Sequence, residues 1–284
     1  MRIQKSFQQE KATLYLVTTP IGNLSDMTPR AVETLKKVAL IASEDTRVTK
    51  KLCNHFLIDT PLTSYHEHNK FQKTSAIIDK LNAGYDVALV SDAGMPLISD
   101  PGDKLVEEVL KSGNAVVPIP GANAALTALI ASGLAPLPFL FFGFLERQKS
   151  KKKNELQTIK NLDATLIFYE SPYRLKETLT IMLEIFGDRQ VVIAREITKI
   201  YEEFIRGKTS EIIDYLTEVK GEVVLLVEGQ KEADVADEWW LDLTLDEHVM
   251  HYKAKGLKTN EAIKHVAGDL KKSRQEIYKE YHHE

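Results

Sequence analysis

Residues 89–102 read LVSDAGMPLISDPG and place glycines, prolines and aspartates directly after an apolar, strand-like run. Gly94 and Gly102 allow the backbone to approach a flat ligand closely, because glycine carries no side chain. Asp100 precedes a proline and is therefore held in an extended conformation. This composition predicts a binding loop. The alternative is two consecutive turns in which Asp100 or Asp103 caps the next helix.

Three further loops with glycine, proline or small polar residues follow predicted strands, at residues 18–23, 43–47 and 118–125. Each has an ordinary interpretation: a plain strand-to-helix turn, a helix cap at Asp45, or tight packing of small alanines. In a parallel sheet, however, the loops at the carboxyl ends of the strands share one edge, and ligands bind there. The coincidence of these loops predicts a ligand site at that edge.

Two later strands also end in charged residues, within FYESPYR at 168–174 and AREITK at 194–199. These charges either face a ligand or pair with one another. A basic run at residues 147–153, RQKSKKK, is either a solvated surface or a contact with a phosphate backbone.

Composition limits the class of protein. The 284 residues carry a net charge of −4 and a single cysteine, Cys53, so nucleic-acid binding requires local basic patches and a disulfide framework is excluded. The N-terminus lacks the apolar segment of a signal peptide. The histidines show no metal-binding spacing, and we expect no metal. A cytoplasmic enzyme is the default expectation.

The predicted elements alternate between strand and helix, which is typical of α/β proteins with parallel sheets. Predicted strands cover residues 14–18, 38–43, 87–90 and 115–119, and a proline-rich segment at 134–138 then suggests a domain transition. We expect an N-terminal α/β domain at 12–135 and a C-terminal α/β domain at 136–230. The second has a mixed sheet, because residues 194–207 resemble an antiparallel pair.

The last residues, 238–284, predict a helical, helix-turn-helix-like module. TLDE at 244–247 and SRQE at 273–276 both match the capping box, and residues 260–270 carry apolar side chains at helical spacing. We interpret this tail as an RNA-binding module, with a packing or dimerisation role as the alternative.

Six ordered motifs resemble the small-subunit ribosomal RNA (cytidine-2′-O)-methyltransferase I family, a branch of the tetrapyrrole-methylase-like (class III) methyltransferases. They are TPIGNLSD, ASEDTR, LVSDAGMPLISDPG, PIPGANAALTALIASGL, FYESPYR and AREITK. The resemblance implies two α/β domains with a cleft between them, a homodimer, and S-adenosylmethionine as methyl donor. It also implies methylation of a cytidine ribose 2′-oxygen in the decoding region of 16S ribosomal RNA, in the free RNA or the small subunit.

Carried onto this sequence, the resemblance assigns donor binding to three loops and two strand ends. The residues are Ile21, Gly22, Gly94, Met95, Pro96, Ile98, Asn123, Ala124, Tyr169 and Ala194. Tetrapyrrole methylases usually have Gly-Asp-Pro where this chain has Gly94-Met95-Pro96. The missing carboxylate disfavours a tetrapyrrole substrate.

A ribose hydroxyl is a poor nucleophile, so a base is expected within hydrogen-bonding reach of it. The candidates are Asp100, which we prefer, Glu44 and Glu170. The expected RNA contacts are Arg47, Arg147, Lys151, Lys152, Arg195, Lys199, Lys271, Lys272 and Arg274. Two competing functions remain open, a tetrapyrrole-precursor methyltransferase and a non-enzymatic, ligand-sensing nucleic-acid-binding regulator.

Overall fold

The computed structural model describes residues 3–6, 11–217, 219–230, 240, 243–270 and 272–282. The described residues fall into two compact units, divided between Gly229 and Gln230. The first unit contains two five-stranded sheets, and the second is helical. The α/β fold class predicted from the sequence is confirmed. The boundary predicted at residues 135 and 136 stays a prediction.

The first sheet is entirely parallel, with strand order β3-β2-β4-β1-β5. The central strand β4 consists of four buried residues, because helices cover both faces of the sheet. The strands are β1 (Thr13–Val17), β2 (Leu40–Ser43), β3 (Leu62–Ser64), β4 (Val87–Val90) and β5 (Ala115–Ile119).

Two helices of this half begin at the capping residues that the sequence predicts. Thr28 accepts a hydrogen bond from the Ala31 amide, and Pro29 occupies the first helical position. Asp45 likewise accepts a hydrogen bond from the Arg47 amide. The helices are α1 (Pro29–Lys37), α2 (Thr46–His55), α3 (Lys70–Asn82), α4 (Asp103–Lys111) and α5 (Ala124–Ser132), with a short 3₁₀ turn at Leu24–Asp26.

The second sheet is mixed, with order β6-β7-β10-β8-β9. Only β6 and β7 pair in parallel, and the predicted antiparallel pair is confirmed as β8 with β9. The elements are β6 (Phe139–Phe144), α6 (Lys149–Ile159), β7 (Thr165–Glu170), α7 (Leu175–Phe186), β8 (Gln190–Arg195), β9 (Glu203–Lys208), α8 (Thr209–Tyr215) and β10 (Val223–Val227).

Helix α5 connects the two sheets. Its buried residues Ala125 and Leu129 pack with Ile167 and Val192 of the second sheet and with Ile21 after β1. This packing brings the carboxyl edge of the first sheet against the strand ends of the second, and the cavity described below lies there.

The helical unit contains three described helices, α9 (Leu245–Ala254), α10 (Thr259–Asp269) and α11 (Arg274–His282). Both predicted capping boxes form, at Thr244 with Glu247 and at Ser273 with Glu276. A small core is shared by the helices and includes Val249, Ile263, Val266 and Ile277. Among the residues described, no helix has the length and apolar content needed to cross a bilayer.

Candidate functional site

A cavity of about 520 Å³ opens at the carboxyl edge of the first sheet, and loops of both sheets line it. The structure brings most of the predicted site residues together here. They are Ile21, Glu44, Gly94, Met95, Ile98, Asp100, Asn123, Ala124, Tyr169 and Glu170. Gly22, Pro96 and Ala194, also predicted to bind the donor, lie outside the lining, and the last two are buried.

The loop after β4 is fixed to the turn after β1 by paired backbone hydrogen bonds. The Thr19 amide donates to the Gly94 carbonyl at 3.0 Å, and the Gly94 amide donates to the Thr19 carbonyl at 3.1 Å. The Ser91 hydroxyl also donates to the Gly94 carbonyl, at 3.0 Å. Gly94 has φ +82°, and a Cβ there would lie 3.2 Å from Ile21 Cγ2. Glycine at this position is therefore favoured by the loop's own geometry.

The same loop contains two non-glycine residues with left-handed backbone, Leu97 at φ 72° and Ser99 at φ 66°. Such conformations cost about 1–3 kcal/mol each and persist only where the surroundings enforce them. The loop ends at Gly102, the N-cap of α4, which has no side-chain cap hydrogen bond. The alternative in which Asp100 or Asp103 caps this helix is therefore wrong, and the Asp100 carboxylate lines the cavity instead.

Asp100 stands in an acidic environment. Burial, followed by the neighbouring carboxylates of Glu44 and Asp92, raises the pKa of Asp100 to about 6, and the Ser91 hydroxyl opposes part of that rise. A carboxylate with such a pKa is ionised at neutral pH but binds a proton more readily than an ordinary aspartate. The same three carboxylates favour a cationic ligand in the cavity.

Glu170 also lines the cavity, but three donors hold its carboxylate. Oε1 accepts from the Ser171 amide at 2.7 Å and pairs with Arg174 Nη2 at 2.6 Å, and Oε2 accepts from Thr178 Oγ1 at 2.6 Å. These contacts give Glu170 a role in holding the loop after β7. Its role as a general base stays a prediction.

The structure contradicts the RNA contact predicted for Lys152. It was predicted to contact RNA as part of the basic run, yet its side chain is fully buried. Its Nζ donates to Thr178 Oγ1 at 2.9 Å, which in turn holds Glu170. A buried ammonium cannot reach a phosphate. The helical period of α6 turns this one lysine of the run toward the core, while Lys151 and Arg147 stay exposed.

Other predicted RNA-contacting cations lie in ion pairs. Arg195 Nε is 2.5 Å from Glu203 Oε2, and Arg47 Nη2 is 2.6 Å from Asp45 Oδ2. Lys199 Nζ pairs with Glu196 at 2.9 Å and with Glu222 at 3.0 Å. Its side chain packs against Gly22, where an added Cβ would lie 2.6 Å from Lys199 Cγ. In the helical unit, Lys272 and Arg274 are exposed. Lys271 lies outside the described residues, and the RNA-binding role of all these residues stays a prediction.

Aromatic rings and the side-chain amide of Asn123 form another part of the cavity wall. Tyr169 contacts the rings of Phe141 and Phe144, with centroids at 5.0 and 5.6 Å, and burial raises the pKa of Tyr169. Asn123 caps α5 through the Leu126 amide, and its Nδ2 lies 3.4 Å from Met95 Sδ.

Sequence reasoning missed several lining residues: Asp92, Phe144, Ile197 and the segment 221–224. Asp92 lies inside the opening motif and could have been found there. Phe144 ends β6 and lies opposite Tyr169 of the parallel strand β7. Ile197 and the segment 221–224 join the site because β10 runs antiparallel between β7 and β8 and begins at this edge. Across the described ranges, no group of three His, Cys, Asp or Glu side chains is placed to hold a metal ion.

Comparison with known proteins agrees with this architecture. Residues 13–213 match the family model described as Tetrapyrrole (Corrin/Porphyrin) Methylases. A protein of Bacillus subtilis named Ribosomal RNA small subunit methyltransferase I is 55% identical over 288 residues, which cover 99% of both chains. Its namesake in Streptococcus pyogenes serotype M1 is 51% identical, again over 99% of both chains. The chain belongs to the ribosomal RNA small subunit methyltransferase I family.

Solved structures with the same fold are more distant. Diphthine synthase superposes with a TM-score of 0.61 at 13% identity, covering 78% of this chain and 91% of its own. Uroporphyrin-III C-methyltransferase from Thermus thermophilus, complexed with S-adenyl homocysteine, gives a TM-score of 0.54 at 18% identity and covers 76% of this chain and 97% of its own. The predicted methyltransferase I family and its tetrapyrrole-methylase-like fold are confirmed.

Proposed function

We propose that this protein transfers a methyl group from S-adenosylmethionine to the ribose 2′-oxygen of a cytidine in the decoding region of 16S ribosomal RNA. The observation that carries the proposal is the 55% identity, over 99% of both chains, with a relative named Ribosomal RNA small subunit methyltransferase I. The 2′-oxygen and the decoding region rest on the motif resemblance of the sequence.

The cavity is a suitable site for the donor. Its volume of about 520 Å³ lies within the range of roughly 300–1,000 Å³ found for ligand pockets. Backbone at Gly94 and Met95 and the small side chain of Ala124 leave room for a flat base. Glu44 and Asp100 supply negative charge near a ligand that carries a positive sulfonium.

The donor supplies an electrophilic methyl group attached to a positively charged sulfur. As the ribose 2′-oxygen forms its new bond to this carbon, the carbon–sulfur bond breaks and its electron pair stays on sulfur. The Asp100 carboxylate accepts the hydroxyl proton, which its pKa of about 6 allows at neutral pH. The rest of the pocket contributes alignment, which is the main help that an in-line displacement needs.

The proposal extends to the protein's partners and location. The substrate is 16S ribosomal RNA or the small ribosomal subunit, the active form is a homodimer, and the compartment is the cytoplasm. The proposed phosphate contacts are exposed cations that make no ion pair with a described residue, including Arg147 and Lys151 of the first unit and Arg274 of the second.

The test is methylation in vitro. Purified protein, S-adenosylmethionine and small ribosomal subunits from a strain lacking the enzyme are incubated together, and the RNA is digested to nucleosides for mass spectrometry. We expect 2′-O-methylcytidine at one position of the decoding region. A methylated base, or methylation of another nucleotide, would contradict the finer proposal but leave the RNA methyltransferase activity standing.

The same experiment separates the two alternatives. A tetrapyrrole methylase would leave the RNA unmodified and consume the donor only when a tetrapyrrole precursor is added. A ligand-sensing regulator would bind donor and nucleic acid without any turnover.

A further inference from the structure

A second groove, of about 640 Å³, lies beside the edge strand β3 and is formed by α2 and β3. None of the described residues that line it carries a carboxylate. The polar side chains that matter are Arg47, Lys50, Lys51, Asn54, Thr63 and Ser64.

One face of α2 forms the cationic wall. Arg47, Lys50, Lys51 and Asn54 lie at spacings of three, four and seven residues and are all exposed, so they share one helical face. The opposite face is buried through Thr49 and Cys53. The helix contains no aspartate or glutamate, which is notable in a chain whose net charge is −4.

Two of these cations have no ion-pair partner among the described residues. Arg47 is paired with Asp45 at 2.6 Å, whereas Lys50 and Lys51 make no ion pair with any described residue. Unpaired neighbouring ammonium groups repel each other, and an anion between them removes that repulsion.

The opposite wall presents hydroxyl donors. Thr63 Oγ1 accepts a hydrogen bond from Lys73 Nζ at 2.9 Å, and Ser64 Oγ accepts one from Asn69 Nδ2 at 3.1 Å. Since each hydroxyl already accepts, its own proton remains available to donate. Neither donates to another described residue. Both walls of the groove therefore offer donors to an acceptor-rich, negatively charged ligand.

We propose that this groove binds the sugar–phosphate backbone of the RNA substrate, an inference that rests on the function proposed above. The groove and the donor cavity share one loop: Glu44 lines the cavity and Thr46 lines the groove. The Asp45 amide donates to Asp92 Oδ1 at 3.1 Å and joins this loop to the donor-cavity loop. RNA held along α2 thus passes the mouth of the cavity, where its ribose is methylated.

The experiment compares the full-length protein with the double variant Lys50→Ala/Lys51→Ala. Binding of 16S ribosomal RNA is measured over a range of salt concentrations, and binding of S-adenosylhomocysteine is measured by calorimetry. Loss of two phosphate contacts should weaken RNA binding about tenfold and reduce the slope of log affinity against log salt by roughly 1.5. Donor affinity should be retained. Alanine is a good helix former, so α2 should fold normally.

The matched control is Lys36→Ala/Lys37→Ala, which removes the same charge from two adjacent exposed lysines of α1. We expect the control to keep the wild-type affinity and salt slope. If the groove variant behaves like this control while the wild-type enzyme still methylates RNA, the groove assignment is overturned and the proposed function stands. If the wild-type protein neither binds nor methylates 16S ribosomal RNA, both proposals fail.

Discussion

Two carboxylates, Asp100 from the first-sheet wall and Glu170 from the second-sheet wall, line the same cavity in opposite surroundings. Asp100 faces two other carboxylates, and its pKa rises to about 6. Glu170 is held by an arginine, a hydroxyl and a backbone amide. Asp100 lies in the polar loop after β4, and Glu170 is the last residue of β7. The difference between them lies in what the fold places around each carboxylate. Asp100 stands among like charges, whereas Glu170 is held by hydrogen-bond donors.

Replacing Glu170 should have the largest effect, a loss of stability. The Glu170 side chain is 1% exposed and pairs with Arg174. Glu170→Gln leaves buried donors without their anion and should lower the free energy of unfolding by about 3 kcal/mol. Denaturant unfolding monitored by circular dichroism measures this. Glu184→Gln is the control, because Glu184 pairs with Lys153 but is 60% exposed. An equally small loss in both variants would show that the Glu170 network is not structural.

Removing the Asp100 carboxylate should affect turnover. Asp100→Asn eliminates the proposed base and should lower the rate of methyl transfer about 100-fold, the usual scale for a lost general base. Single-turnover methylation of 16S ribosomal RNA measures this, with Asp103→Asn, an exposed neighbour at the start of α4, as the control. Unchanged turnover in the Asp100 variant would shift the role to Glu44 or to solvent.

The same Asp100→Asn variant should be more stable than the wild type at alkaline pH. The pKa of Asp100 is about 6 in the fold, above roughly 3.9 for an unfolded aspartate, so its ionisation destabilises the native state. This penalty is absent below pH 4 and develops as the pH rises to 6. With allowance for solvent screening we expect about 1 kcal/mol, or about 2 °C in Tm, at pH 8. Thermal melts at pH 4 and pH 8 should differ in this way, and an equal gain at both would refute the explanation.

The smallest effect concerns the neighbours of Asp100. If Asp100 is the base, the rate of methylation rises with pH through about 6. Asp92→Asn removes one of the charges that raise the pKa of Asp100. The rise of the methylation rate with pH should therefore move to lower pH by roughly half a unit. Asp79→Asn, which is not among the groups acting on Asp100, should leave the pH–rate profile unchanged.

The sequence predicted much of this site because the relevant signals are local. A glycine or proline after an apolar run marks a strand end, and parallel strands bring such ends to one edge. Gly94, Asn123 and Tyr169 were found in this way or through the motifs that contain them. Ile197 and residues 221–224 were missed, because their place at the cavity depends on an antiparallel strand whose partners are distant in sequence.

By itself, then, the sequence determined the alternation of elements, the capping residues, the family and the loops that form the pocket. It could not decide the state of individual charges. Lys152 lies in a run of three lysines at 151–153 and yet is buried against Thr178, while Lys50 and Lys51 are exposed in a groove and make no ion pair with a described residue. The physical reason is that solvation and pairing of a charge depend on neighbours from remote segments. Only the tertiary packing brings those neighbours together.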